Sequence, residues 1–357
     1  MAQTRFGVNS PEAVKLWSKS VADEALKATA IQPLIGEGSD SIIVEKTDTK
    51  KTAGDRVTYT LMMNLEGDGV TEGQVQEGNE ESLETFTDDL VVNELGHAFD
   101  VPGNTTIDAQ RVPYNLRKEG MSRLKRWFAK RFSVVAFNHF CGYTPETRAV
   151  YRGNNAIVAP SASRHIFAGS ATTDEGLGST DLMSLTLIEY ARELADTADP
   201  QIQPVMINGE EKYVMYLHPN QITDLRTNTS DGQWLDIERA AMKGGNISKN
   251  PLYTGALGEF SGVVLRKAYD ITQGVHSTAG TAVASTRRAV LLGAQAGTIG
   301  FGQGVDNTTS FKWVEVLKDY ERQLGVSART IYGFKKAQFN SVDFGTVVIS
   351  TYAAAHT

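Results

Sequence analysis

No lysine or arginine stands between Arg56 and Arg111, while that interval carries twelve acids: Glu66, Asp68, Glu72, Glu77, Glu80, Glu81, Glu84, Asp88, Asp89, Glu94, Asp100 and Asp108. The sign then inverts. Residues 111–131 hold Arg111, Arg117, Lys118, Arg123, Lys125, Arg126, Lys130 and Arg131 against Glu119 alone. The 357-residue chain has a net charge of −7, so the rest of it, outside the acidic interval, sums to +5. A strip this acidic cannot neutralise itself, and a strip this basic at helical spacing repels itself unless a counter-charge arrives. The chain must either leave both in water or bring them to partners.

The acidic interval predicts a long hairpin. RVTYTLMMNL (56–65) is rich in Val, Thr and Tyr, and the interval 84–101 contains a second β-type run. Between them EGDGVTEGQVQEGNEES has turn-forming glycines at 67, 69, 73 and 78 and almost nothing apolar to join a core. The tip is therefore expected to project. Leu61, Met62, Met63 and Leu65 near its base are the apolar residues available for burial.

The basic interval predicts a long helix. From Pro113 onward, Leu116, Met121, Leu124, Trp127, Phe128, Phe132, Val135 and Phe140 recur mostly at three- and four-residue steps, and Gly142 supplies a stop. Its polar side is cationic, giving a helix with one face in a core and one face positive.

Further on, a helix is expected over 181–196, with Leu182, Leu185, Ile188 and Leu194 on one side and Ser179 or Thr180 as cap. VMINGEEKYVMYLH (205–218) predicts a hairpin turning at Asn208-Gly209. Residues 221–243 show helix-like steps, while 260–271 and 346–352 read as strands, and the Gly-rich stretch 293–304 reads as flexible packing. Helices and strands mix without a regular βαβ period, which predicts an α+β fold.

Composition removes several classes of function. With 41% hydrophobic and 22% charged residues the chain is a folded protein, not a disordered or low-complexity one. Its one cysteine, Cys141, can neither close an internal disulfide nor build a multi-thiolate zinc site. No apolar run approaches the ~18 residues that cross a bilayer, and residues 1–20 lack the pattern of a secretory signal, so neither membrane nor export is expected. A pI near 5.5 speaks against a surface that grips nucleic acid everywhere, leaving only a local basic patch. GxxxxGK[ST], GxGxxG at a strand–helix junction, GxSxG and HExxH are all missing. His97, His139, His165, His218, His276 and His356 lack ligand spacing, and Cys141 two residues from His139 makes no nucleophile. No catalytic residue, metal ligand or cofactor is expected.

The order of these features resembles the major capsid proteins of tailed bacteriophages, which have the Hong Kong 97-type fold. LHPNQITDLR (217–226), NPLYTGALGEFSGVVL (250–265), LLGAQA (291–296), DYERQLGV (319–326) and YGFKKAQFNSVDFGTVVIST (332–351) are similar to coat proteins of N-four-like podophages. The resemblance implies an N-terminal arm over 1–45, an extended loop over 46–104, a peripheral domain with its spine helix over 105–179, an axial domain over 180–320, and a return to the peripheral domain over 321–357. It implies no enzyme. It implies instead a virion shell of hexamers and pentamers around double-stranded DNA, assembled in the host cytoplasm, with portal, scaffolding and decoration proteins as further partners. Two alternatives carry other expectations: an encapsulin-like nanocompartment would hold a cargo protein, and a soluble α+β enzyme would not form particles. On the shell reading, Glu66, Asp68, Glu72, Glu77, Glu80, Glu81 and Glu84 are the inter-subunit acids. Arg117, Lys118, Arg123, Lys125, Arg126, Lys130 and Arg131 are the cations that face a neighbouring subunit or the DNA.

Overall fold

The computed structural model describes residues 31–46, 54–62, 67–82, 85–102, 107–111, 115–207, 209–228, 258–302, 311–320 and 322–355. Residues 1–30 of the expected N-terminal arm and much of 221–243 lie outside them, as do Pro113 and Asn208. In chain order the strands begin with β1 (Ile35–Gly36), β2 (Ile43–Lys46), β3 (Arg56–Met62), β4 (Thr85–Val91) and β5 (Asn93–Pro102). Helices α1 (Ile107–Arg111), α2 (Leu116–Phe140) and α3 (Ala149–Arg152) precede β6 (His165–Phe167). Helix α4 (Leu185–Thr197) leads to β7 (Val205–Ile207) and β8 (Glu210–Leu217), then α5 (Pro219–Thr227). The short strands β9 (Glu259–Phe260), β10 (Val263–Lys267), β11 (Gly274–Val275) and β12 (Ala282–Val283) follow. The last are β13 (Thr286–Leu292), β14 (Gly297–Gly302), β15 (Phe311–Lys318), β16 (Gln323–Lys336), β17 (Gln338–Phe339), β18 (Val342–Asp343) and β19 (Thr346–Tyr352).

The apolar steps after Pro113 do form one helix. It begins at Leu116, because Asn115 is the residue whose side chain caps it, accepting from Lys118 N–H at 3.1 Å. It runs roughly 37 Å at 1.5 Å per residue, and Gly142 at φ 63 follows its last turn. The first sheet, ordered β1-β2-β14-β16-β15 with β5 also on β16, lies under it. Strand β16 organises that sheet: Gln323–Thr330 is flanked by β15 and β5, and Ile331–Lys336 pairs with β14. Its alternate residues Val326, Ala328, Tyr332 and Phe334 share the core of α2's Leu124, Phe128, Phe132 and Phe140. Ring pairs lock the contact, Phe128 on Phe311 at 5.1 Å and Phe132 on Tyr332 at 4.8 Å. Gly120 lets β5 come close, since a Cβ there would sit 2.2 Å from the Phe99 ring.

The second sheet, ordered β6-β19-β13-β8-β10-β9 with β7 on β8, is buried on both faces. Val214, Tyr216, Val290, Leu292 and Val348 join the α2 core. Their alternates Met215, Leu217, Ala289, Leu291, Val347 and Ile349 pack with Leu185, Ile188 and Ala191 of α4 and with Ile222 and Leu225 of α5. Two-sided burial is why these strands read as nearly unbroken apolar runs. Residues 321–357 serve both sheets, through β16 in the first and β19 in the second.

Four local readings need correction. The β-type run within 84–101 is two strands, parted at buried Val92, with β4 on β3 and β5 on β16. The helix expected over 181–196 starts at Leu185 with Ser184 as cap, because Asp181 is held in a turn by accepting from Gly178 N–H. The strand expected over 260–271 is the pair β9–β10, folded back at Ser261-Gly262, both at positive φ. The stretch read as flexible packing contains β14, buried throughout; its glycines admit Phe140 and Phe334 against Gly297 and Ile331 against Gly302. Gly209, at φ 83, turns the β7–β8 hairpin where expected.

Candidate assembly interface

Strand β3 alternates: Val57 and Tyr59 are buried, while Arg56, Thr58 and Thr60 are exposed. It pairs antiparallel with β4 from Arg56↔Val91 to Met62↔Thr85, making the base of the acidic arm. That base is fastened to the body. Tyr59 Oη donates to Asp88 Oδ2 at 2.9 Å and accepts from Thr298 Oγ1 at 3.3 Å, and Lys46 Nζ stands 5.1 Å from its ring. Burial, with Asp88 adding to it, holds the Tyr59 hydroxyl well above the usual phenol range. Lys335 of β16 forms a short ion pair with Asp88 and also reaches Asp89, 3.1 Å to its carbonyl. Asn155 completes the fastening: Oδ1 accepts from Val91 N–H at 2.9 Å, and Nδ2 donates to the carbonyls of Val91 and Phe334 at 2.8 and 3.1 Å.

Beyond the base, every residue from 71 to 82 is exposed, including Val75 at 69%. Gly69, Gly73 and Gly78 take positive φ, as a chain of tight turns requires. Two of the acids shape the tip, Glu81 Oε2 accepting from Gly67 N–H and Glu80 Oε2 from Gly78 N–H, both at 2.7 Å. Asp68, Glu72 and Glu77 stand in water. Glu66 and Glu84 lie outside the described residues, as do the side chains of Leu61, Met62, Met63 and Leu65.

The cations of α2 divide into two groups. Arg117 turns inward to Glu315, Nη2–Oε1 2.5 Å, an acid only 5% exposed that also accepts from Trp313 Nε1. Arg131 lies over the rings of Trp127 and Tyr151, at 4.9 and 4.2 Å. Lys125 is half-buried. Lys118, Arg123, Arg126 and Lys130 are exposed, the last three within one stripe of the helix. Sequence reasoning counted seven interface cations and missed that the fold itself uses some of them, Arg117 and Arg131 among them.

It also missed a buried ionic cluster behind the C-terminus of α2. Arg288 donates through Nε and Nη2 to Asp174 Oδ2 and through Nη1 to the carbonyls of Cys141 and Gly142. Lys336 pairs with Asp343 at 2.8 Å. Cys141 Sγ donates to the Arg288 carbonyl, and burial raises its thiol. His139 donates from Nε2 to the Arg152 carbonyl, and His165 bonds Ser350 Oγ at 2.7 Å. Burial lowers both rings to about 4, Arg288 adding to the effect at His165. Among the described residues no group of three or more His, Cys, Asp or Glu is placed to hold a metal, and no helix is long and apolar enough to cross a membrane.

A spine helix laid across one sheet, a second sheet between helices, and an arm thrown clear of both define a shell subunit of the Hong Kong 97-type fold. The chain belongs to the phage capsid protein family, whose model, described as "Phage capsid protein", matches residues 5–355. It is similar to the major capsid protein of Pseudomonas phage KPP25, 28% identical with 99% of this chain and 98% of the relative covered. Among solved structures it resembles the capsid of Ralstonia phage GP4 over the whole of both chains, with 29% identity and a TM-score of 0.77. The cyanophage Pam1 capsid, 22% identical, shares the fold over 93% of this chain and 94% of its own, with a TM-score of 0.72. The protein is a structural component of a virion capsid.

Proposed function

We propose that copies of this chain form hexamers and pentamers that close an icosahedral shell around packaged double-stranded DNA, each copy laying its acidic arm over a neighbour. The observation that carries this reading is the arm: a base clamped by Lys335, Tyr59 and Asn155, and a tip that contributes no buried surface to its own subunit. Its complement is the exposed stripe of Arg123, Arg126 and Lys130, with Lys118 nearby. Exposed ion pairs contribute only about 0.2–1 kcal/mol each, so charge sets register and reversibility. Apolar burial, at about 25 cal/mol per Å², supplies the assembly energy. On this reading the spine helix α2 belongs to the peripheral domain over 105–179, residues 321–357 return to it, and residues 180–320, with α4 and α5, are the axial domain. Portal, scaffolding and decoration proteins are its further partners.

Electron microscopy of the purified chain tests the proposal, with closed particles expected and only monomers fatal to it. Nuclease-protected DNA inside virions is expected; a protein cargo with no protected DNA favours a nanocompartment. Arg126→Glu with Lys130→Glu separates the two uses of the basic stripe: failed assembly points to a neighbour's arm, intact shells that lose their genome point to DNA.

A further inference from the structure

The second sheet presents a pocket and a knob at one end and on opposite edges. Strands β6, β19, β8 and β10 all run in the same direction, so Phe167, Tyr352, Leu217 and Lys267 finish at the same end. Beyond Phe167 opens a cavity of about 600 Å³, walled by Met183, Leu187 and Tyr190 and carrying the carboxylates of Asp181 and Asp224. Its rim leaves apolar surface in water, with Leu182 40% and Tyr190 54% exposed. Beyond β10 stands Tyr269, 71% exposed, with Lys267 Nζ 5.1 Å from its ring.

Four strand steps separate β6 from β10, roughly 19 Å at 4.7–4.9 Å per step. Tyr269, itself 71% exposed, is not among the residues that line the pocket and leaves it unfilled in its own chain. A second copy, rotated about an axis past this end of the sheet, can bring its Tyr269 there, and a head-to-tail contact of two different patches closes into a ring. We infer that Tyr269 and Lys267 of one copy seat in the pocket marked by Asp181 and Asp224 of the next. A rigid aromatic ring entering an apolar pocket with a cation meeting carboxylates is the chemistry that anchors interfaces. The inference rests on the ring-forming reading above and adds the residues that join ring neighbours.

Particles of the unaltered chain come first; if none form, it is the ring-forming reading that fails. In particles, carbodiimide coupling, which joins an amine to a carboxylate without a spacer, is expected to link Lys267 to Asp181, read by mass spectrometry of the digest. Particles in which Lys267 couples only elsewhere, or not at all, overturn the inference while leaving the shell reading intact. A chain carrying Tyr269→Cys and Thr186→Cys, with Cys141 buried out of reach, is expected on oxidation to convert most of its monomer band into a ladder ending at five and six subunits. Particles of that chain that stay monomeric also overturn it, and if that chain makes no particles the coupling result decides.

Discussion

Lys336 and Asp343 meet in the interior with Nζ and Oδ1 2.8 Å apart, and their side chains are 2% and 0% exposed. The carboxylate also accepts from Ser161 N–H and Gln338 Nε2, and Lys336 is the strand residue that follows the arm's clamp, Lys335. Removing one partner strands a buried charge. Lys336→Met is expected to cost about 3–5 kcal/mol in urea denaturation of the unassembled chain, and adding Asp343→Leu to recover much of that loss. Equal stability of the single variant and the unaltered chain would show the pair to be dispensable.

Acid should weaken the fold before it titrates most carboxylates. His139 and His165 are neutral when folded, their rings lowered to about 4 by burial, whereas the unfolded chain protonates them near 6.5. The unfolded state therefore binds more protons, so the stability they contribute is whole above 6.5 and is lost as the pH falls toward 4. Each ring is worth on the order of 2–3 kcal/mol across that window. Denaturation midpoints at pH 7 and pH 4.5 measure it. His218 joins the two, its ring likewise lowered to about 4 by burial with Arg287 adding to the effect, so His139→Gln, which keeps a donor for the Arg152 carbonyl, should remove about a third of the slope. A pH-independent midpoint in the unaltered chain contradicts the assignment.

What could be read in advance was local. TVVISTY gave β19 its bounds because five of its seven residues, Thr346, Val347, Val348, Ile349 and Thr351, are β-branched, and α2 announced itself through its steps and Gly142. The tip was legible because glycines and acids leave nothing to bury. Long-range pairing was not legible. Arg117 and Glu315 lie 198 residues apart, and Arg288 and Asp174 lie 114 apart, so no pattern along the chain marks which charge is buried with which. Strand β14 was hidden by composition: its glycines are there to admit neighbouring side chains, a role that looks like looseness until those neighbours are placed.

One amide takes part in the arm's clamp beside Lys335 and Tyr59. Asn155 satisfies both backbone groups of Val91 and bridges to Phe334, as an added strand residue would. Asn155→Leu leaves those groups without that partner, at an expected cost of about 1–3 kcal/mol. Amide hydrogen exchange should localise it, with the Val91 N–H exchanging at least about tenfold faster. Unchanged protection at Val91 would mean that the arm's base is held by Lys335 and Tyr59 alone.

The arm's acids divide into those that shape the tip and those free to meet a partner, and the division can be tested. Glu80 and Glu81 hold the amides of Gly78 and Gly67, so neutralising them would disturb the turn as well as the charge. Asp68, Glu72 and Glu77 make no such bond among those named above, and each is exposed. Asp68→Asn, Glu72→Gln and Glu77→Gln together should leave the stability of the unassembled chain within about 0.5 kcal/mol. Assembly should change instead. Exposed opposite charges attract across about 10 Å at 0.1 M salt and hardly at all at 1 M. Shell formation by the unaltered chain, followed by light scattering, is therefore expected to slow as salt rises. The triple variant should start slow and respond little, because steering by charge acts mainly on the rate of encounter. If both chains assemble with the same salt dependence, the negative tip does not guide one subunit onto the next, and only its shape and apolar base can.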